Sequence, residues 1–276
     1  MARSRERPRL AMLPIGFVLT AGALLTAFPF FWMLASSVKP LSESYTYPPH
    51  VLPSKFTFAS YFTLFRDLEF GTYLFNTVIV VLISFVGMFL MAMAGYAFAK
   101  FRFRGRRALF LLVLSTMMIP IQVTMIPTYL ILNSVKLTNT LVGIALPTLV
   151  SGFNVFLFRQ FMTTIPDEVL EAARLDGASE TRAFVSIVLP MSKPILAVVG
   201  VLTFISGWNS FLWPLIIAND QKHYTLSVGL SLLNKQLVLN PPLQMAGASL
   251  MVIPVVVVFV VLQRHIVQGF TMSGLK

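Results

Sequence analysis

Ionisable and amide side chains are scarce in this 276-residue chain, and the stretch that sets several of them at ordered spacing runs from Arg159 to Lys193. It contains Pro166-Asp167-Glu168-Val169-Leu170-Glu171-Ala172-Ala173-Arg174-Leu175-Asp176-Gly177, then Ser179-Glu180-Thr181-Arg182 and Phe184 to Pro190. Pro166 suits the first position of a helix. Asp167 and Glu168 then fall in the first turn, where the helix dipole favours acids. Glu171 and Arg174 stand at i,i+3 and can pair. Gly177 is placed to end the helix in a left-handed conformation with positive φ. A second short helix is expected over about 179–188, stopping at Pro190. Val169, Ala172, Ala173 and Leu175 make one face mostly small and apolar. A helix–glycine–helix of this kind suits insertion into a groove of another protein, so its chemistry is docking by shape and charge.

Catalytic and metal chemistry find little here. With no cysteine there is no thiol nucleophile, zinc-thiolate site or disulfide. His50, His223 and His265 are far apart in sequence. No Gly-Lys pair exists, so there is no P-loop, and neither His-Glu-x-x-His nor Gly-x-Ser-x-Gly occurs. The expectation is a chain that is not an enzyme, holds no cofactor or metal, and binds no ATP of its own.

The elements that position the docking segment follow from composition. The chain is 57% hydrophobic and 11% charged, with a mean hydropathy of +0.81. That excludes a soluble domain, which carries about 25% charge. Charge-free intervals divide the sequence, and the shortest, between Lys136 and Arg159, holds 22 residues. As a helix it reaches about 33 Å, enough for the hydrocarbon core. The expected fold is therefore an all-α membrane protein of six transmembrane helices, near 11–37, 71–99, 108–134, 138–158, 194–218 and 240–263. The first basic-then-apolar segment is too long for a cleaved signal and reads as a retained helix. Pro120 and Pro127 imply a bent third span. No internal repeat is visible.

Fifteen Lys and Arg fall in the N-terminal tail, the second and fourth loops and the C-terminal tail, against six in the other loops. This excess places both termini in the cytoplasm, and the net charge of +11 reads as topology rather than nucleic-acid binding. The organisation expected is a tail at 1–10, a first helix and external loop at 11–69, a transmembrane core at 70–265 with the docking loop at 159–193, and a tail at 266–276. No span carries Asp, Glu, Lys, Arg or His, so the chain has no evident means of using an ion gradient. Uphill transport would draw its energy from a partner.

The spacing Glu171-Ala172-Ala173, three residues, Gly177, nine residues, Ile187, one residue, Leu189-Pro190 resembles the "EAA" loop of binding-protein-dependent ABC importer permeases, at all seven fixed positions. Gly207-Trp208-Asn209-Ser210-Phe211-Leu212-Trp213-Pro214 is similar to a signature of the carbohydrate-uptake branch, as is Ile119 to Pro127. The end of the chain, Gln268 to Lys276, resembles the tail of the shorter maltose-transporter permease. The resemblance implies the type I importer fold, in a bacterial plasma (inner) membrane. It implies a second, paralogous permease, two ATPase subunits that bind ATP and Mg, and an extracytoplasmic substrate-binding protein. It assigns Glu171, Ala172, Ala173, Asp176, Gly177, Ile187, Leu189 and Pro190 to ATPase coupling, with Glu171 facing a basic residue of the ATPase. Ser273, Gly274 and Lys276 would reach the ATPase dimer.

Candidates for the substrate pathway are Gln122, Asn154, Trp208 and Asn209, with Asn76 and Thr124 beside them, because sugars take amide hydrogen bonds and flat aromatic faces. The same residue types serve as interhelical glue. The segment from Asp220 to Gln236 is expected outside, as a connector or a binding-protein contact. Two other functions stay open: a permease for glycerol-phosphate-type substrates, which would want a basic group in the pathway, and a membrane scaffold that anchors an ATPase without transport.

Overall fold

The computed structural model describes residues 13–236 and 240–273, and among these it consists of helices and loops without a strand. The helices are α1 (Leu13–Ser37), α2 (Ala59–Asp67), α3 (Phe70–Lys100), α4 (Arg106–Thr116), α5 (Ile121–Ser134), α6 (Leu141–Ala145) and α7 (Gly152–Met162). Then come α8 (Asp167–Leu175), α9 (Glu180–Ala183), α10 (Leu189–Met191), α11 (Lys193–Trp208), α12 (Leu212–Ile217), α13 (Leu226–Gln236) and α14 (Pro241–Ser273). Among the described residues, four helices are long and apolar enough to cross a bilayer, or up to six if each of two bent pairs is one span.

Two of the expected spans are bent, the third as its prolines imply and the fourth without such an expectation. The third is broken between α4 and α5 by 100°. Pro120 caps α5 at φ −60°, ψ 135°. It has no N–H to continue α4, and its ring pushes Ile119 out of the helical region. Pro127 lies inside α5 and is tolerated there. The fourth span bends by 46° between the Leu141–Thr148 segment and α7, just after Pro147. Beyond Asp220 the expected connector is instead the helix α13, with Leu226 and Val228 fully buried. A Cβ on Gly229 would come within 2.3 Å of the Tyr73 ring, so this helix packs too closely on α3 for any larger residue there.

The described chain falls into two units. In one, comprising Met1–Leu68 and Leu233–Leu250, the Tyr61 hydroxyl bridges the Ser37 hydroxyl at 2.9 Å and the Ser249 hydroxyl at 2.7 Å. Lys39 is buried there, its ammonium 4.7 Å from the Trp32 ring and bonded to the His50 carbonyl. In the other, comprising Glu69–Leu232 and Met251–Lys276, α3 is the central post. It packs on α7 along a seam where Gly95 lies under Phe158, so near that an added Cβ would sit 2.4 Å from the Phe158 Cβ. Small residues at such seams let helix backbones close together, which is how helices gain contact in lipid.

Candidate functional site

The helix–glycine–helix segment from Asp167 forms in the second unit much as its spacing predicts, with the glycine as its pivot. Gly177 has φ +81°. The Ala178 amide donates to the Ala173 carbonyl at 2.9 Å and the Gly177 amide to the Arg174 carbonyl at 3.0 Å. These are the two bonds of a Schellman closure, which satisfies the last carbonyls of α8 and turns the chain sharply. Ser179 then caps α9, its hydroxyl accepting from the Arg182 amide at 3.3 Å.

Four local expectations are corrected. Pro166 is the cap residue rather than the first helical one. Arg174 does not pair with Glu171. It pairs across the turn with Glu180, at 2.7 Å from Nε and 3.3 Å from Nη2, because the Schellman turn brings α9 back beside α8. Pro190 does not stop the second helix. A π-helical turn over Phe184–Val188 precedes it, and helix resumes in α10 and α11. The wider turn absorbs the register that a proline without N–H, and with its ring against the preceding turn, would otherwise break. Last, the small apolar residues do not share a face. Leu170 and Ala173 point inward, while Ala172 and Leu175 are exposed, Leu175 by 89%. The free face of α8 is Glu168, Glu171, Ala172 and Leu175, an i, i+3, i+4, i+7 set.

The inward face joins α8 and the segment after Gly177 to α3 and α7. Leu170, Ala183 and Phe184 belong to one buried cluster with Met91 and Tyr96 of α3 and Phe158 and Met162 of α7. Phe184 packs on Tyr96 with ring centroids 5.3 Å apart. Lys100, the last residue of α3, has a side chain 6% exposed and reaches the Asp167 carboxylate at 2.6 Å and the Ile165 carbonyl. The Tyr96 hydroxyl donates to Glu180 at 3.4 Å. Outside the spans, carboxyls respond to these contacts. Asp167 is held below the usual carboxylate range by the Lys100 hydrogen bond first and by its charge second. Glu180 is held down chiefly by its bond to Arg174. The pairings of Lys100 with Asp167 and of Tyr96 with Glu180 were invisible to motif reading. Only the placement of a lone lysine at the end of a span, and an acid just after a proline, hinted at them.

Of the other residues that the resemblance assigns to ATPase coupling, Ile187 and Leu189 are half-buried and Asp176 and Pro190 exposed. α14 runs to Ser273, and Gly274 and Lys276 lie outside the described residues.

A cleft of about 840 Å3 lies at the bends, between α3, the α4–α5 break, α7, α11 and the residues leading into α12. Asn154 and Thr124 line it, and so do Ser84, Thr148, Thr203 and Ser210. Ser84 and Thr148 hydroxyls bond at 2.6 Å. Among the described residues the buried Thr203 hydroxyl has no hydrogen-bond partner. Trp213 stands in the wall, its indole N–H donating to the Gly143 carbonyl at 3.3 Å. Gln122, Trp208 and Asn209 are not part of this wall. Trp208 is buried and donates to the Met251 carbonyl at 3.0 Å, and Asn76 donates to the Lys222 and Tyr224 carbonyls at 2.7 and 2.9 Å. Both act as glue between segments. Besides Asn154 and Thr124, most polar residues facing the cleft are hydroxyls that composition alone does not single out. Only the two bends bring them together.

Comparison with known proteins identifies a family and a shared fold. Residues 91–272 match the family described as binding-protein-dependent transport system inner membrane component. The chain is 32% identical over 272 residues to the arabinooligosaccharides transport system permease protein AraQ of Halalkalibacterium halodurans, covering 96% of each. It is 34% identical over 268 residues to the sn-glycerol-3-phosphate transport system permease protein UgpE of Yersinia enterocolitica, covering 93% of this chain and 94% of that one. In fold it is similar, at TM-score 0.82 and 24% identity over 96% of its length, to a chain of a bacterial ABC transporter involved in the import of the acidic polysaccharide alginate.

Proposed function

Because the chain belongs to the family of binding-protein-dependent transport system inner membrane components, we propose that it forms half of a translocation pathway for a sugar or oligosaccharide and takes its energy through α8. It is a permease subunit of an ABC importer, a transporter component rather than an enzyme. In the proposed assembly it pairs with a second, paralogous permease in a bacterial inner membrane. Two ATPase subunits bind ATP and Mg on the cytoplasmic side, and an extracytoplasmic protein delivers substrate.

The observation that carries the coupling reading is the two-faced α8. Its outer face offers Glu168, Glu171, Ala172 and the exposed Leu175 to a partner groove. Its inner face is packed into the same buried cluster as α3 and α7. A push on the outer face therefore moves membrane helices directly, since a close-packed core transmits displacement. The substrate reading rests on the cleft, whose polar groups are hydroxyls, an amide and an indole, with no ionisable side chain. Neutral hydroxylated ligands suit that wall. The glycerol-phosphate relative supports a second reading, in which the partner permease supplies the cation.

The test is the assembled complex in proteoliposomes without an ion gradient. Glu171→Lys should leave membrane abundance normal and abolish the stimulation of ATP hydrolysis by the loaded binding protein. Uptake of an arabinooligosaccharide in preference to sn-glycerol 3-phosphate supports the sugar reading, and the opposite preference rejects it. Wild-type uptake by Glu171→Lys rejects the coupling role.

A further inference from the structure

A separate cleft, of about 910 Å3, opens beside the first turn of α4 and the end of α7. Its walls are of two kinds. Arg106, Arg107 and Arg159 supply three guanidinium groups, and Phe103, Phe110 and Leu111 supply apolar surface. No acidic side chain lines it.

Two of the arginines are fixed in place by neutral partners. Arg106 donates to the Phe101 carbonyl at 3.1 Å and to the Ala99 carbonyl at 3.4 Å. Arg159 donates to the Phe98 carbonyl at 3.3 Å and lies 4.0 Å from the centre of the Phe110 ring. Arg107 is exposed and, among the described residues, makes no hydrogen bond or ion pair. The charge is placed against the local field as well. α4 starts at Arg106 with no acid in its first turn, so Arg106 and Arg107 sit at the end of a helix that already carries partial positive charge. Three guanidinium groups lining one cleft at such a helix start fit a phosphate, which both the forks and the dipole favour.

The apolar wall decides which phosphate. A soluble anion gains nothing from Phe103, Phe110 and Leu111, and along α4 the next outward residues, Leu111 and Leu112, are 55% and 62% exposed. A lipid presents phosphate and acyl chain together in this order. We propose that the cleft binds an anionic phospholipid, with its headgroup phosphate on Arg106, Arg107 and Arg159 and one acyl chain along Phe103, Phe110 and Leu111. Basic pockets at the ends of membrane helices select anionic headgroups in this way. The site stands apart from the 840 Å3 cleft and from α8, and does not depend on which substrate is carried.

The test is native mass spectrometry of the detergent-solubilised importer complex titrated with phosphatidylglycerol or phosphatidylcholine. The wild type should retain phosphatidylglycerol preferentially. Arg107→Gln, at an exposed side chain that holds nothing else in place, should weaken phosphatidylglycerol about fivefold and leave phosphatidylcholine unchanged. Arg107→Lys should keep most of the preference, and Leu111→Gln should weaken both lipids. Inorganic phosphate should not displace bound phosphatidylglycerol. Displacement by phosphate would mean a free-anion site and overturn the lipid assignment. Equal retention of the two lipids by the wild type, or an unchanged affinity in Arg107→Gln, also overturns it. Loss of the ATPase subunit from Arg107→Gln with lipid binding intact would reassign the cleft to a protein contact.

Discussion

Substitution at Gly177 separates backbone strain from steric obstruction. The residue has φ +81°, and a Cβ built there would meet nothing within 4 Å. Any penalty for a side chain in the free chain is therefore conformational. A left-handed backbone costs an ordinary L residue about 1–2 kcal/mol, and a β-branched one more, because it is a true outlier there. Alanine recovers part of this by stiffening the unfolded chain, by about 0.4–1 kcal/mol. The expected order of damage is Asn least, then Ala, then Val, since Asn occupies this conformation readily. For Val a penalty of about 2 kcal/mol opens the Schellman turn roughly thirtyfold more often. Hydrogen exchange at the Ala178 amide, which bonds the Ala173 carbonyl, reads that opening directly. Binding-protein-stimulated ATP hydrolysis by the assembled complex should fall in the same order. If Asn proves as damaging as Val, φ is not the cause and the side chain is instead excluded by the partner's groove. If all three match the wild type in exchange and in hydrolysis, the turn plays no part in coupling.

Other expectations follow from the same contacts. Lys100→Met removes a buried ammonium with its bonds to the Ile165 carbonyl and Asp167. Charge-assisted bonds of this kind contribute about 1.5–3 kcal/mol, so exchange across α8 should rise by tenfold or more with α3 still inserted. An unchanged rate would show that the buried cluster alone holds α8. Glu180 has a lowered pKa in the folded state, so its contribution is present above the ordinary carboxylate value and fades as pH falls through the folded one. A dye on Thr181→Cys should report loosening on acidification, and Glu180→Gln should abolish that step; its persistence in the variant would assign it to another group. Because native cysteine is absent, single cysteines at Arg104 and Ser179 should resist an impermeant thiol reagent in intact cells, while those at Ser54 and Lys222 should react. Labelling of Arg104→Cys in sealed cells would invert the termini-inside topology. Deleting 270–276 should lower coupled hydrolysis with the complex assembled, and equal hydrolysis would remove the tail from the ATPase contact.

By itself the sequence determined what depends on neighbouring residues alone. Long charge-free runs specify membrane helices because lipid satisfies no backbone group. The spacing from Glu171 to Gly177 specifies a helix and its end because a Schellman turn involves six consecutive residues, one of them a glycine. The family motif was legible for the same reason. Tertiary structure decided the rest. Whether Pro120 would merely bend its span or break it is not set by the local residues, and the structure shows a 100° break. Which apolar residues of α8 face outward was set by the cluster of α3 and α7, which claimed Leu170 and Ala173 and left Leu175 outside. Arg174 had acids at two distances along the chain, and the turn at Gly177 brought Glu180 to it. The cleft hydroxyls, Ser84, Thr148 and Thr203, come from helices far apart in sequence. Their common wall exists only where two broken spans meet α3, because a site assembled from distant segments has no local signature that a linear spacing could carry.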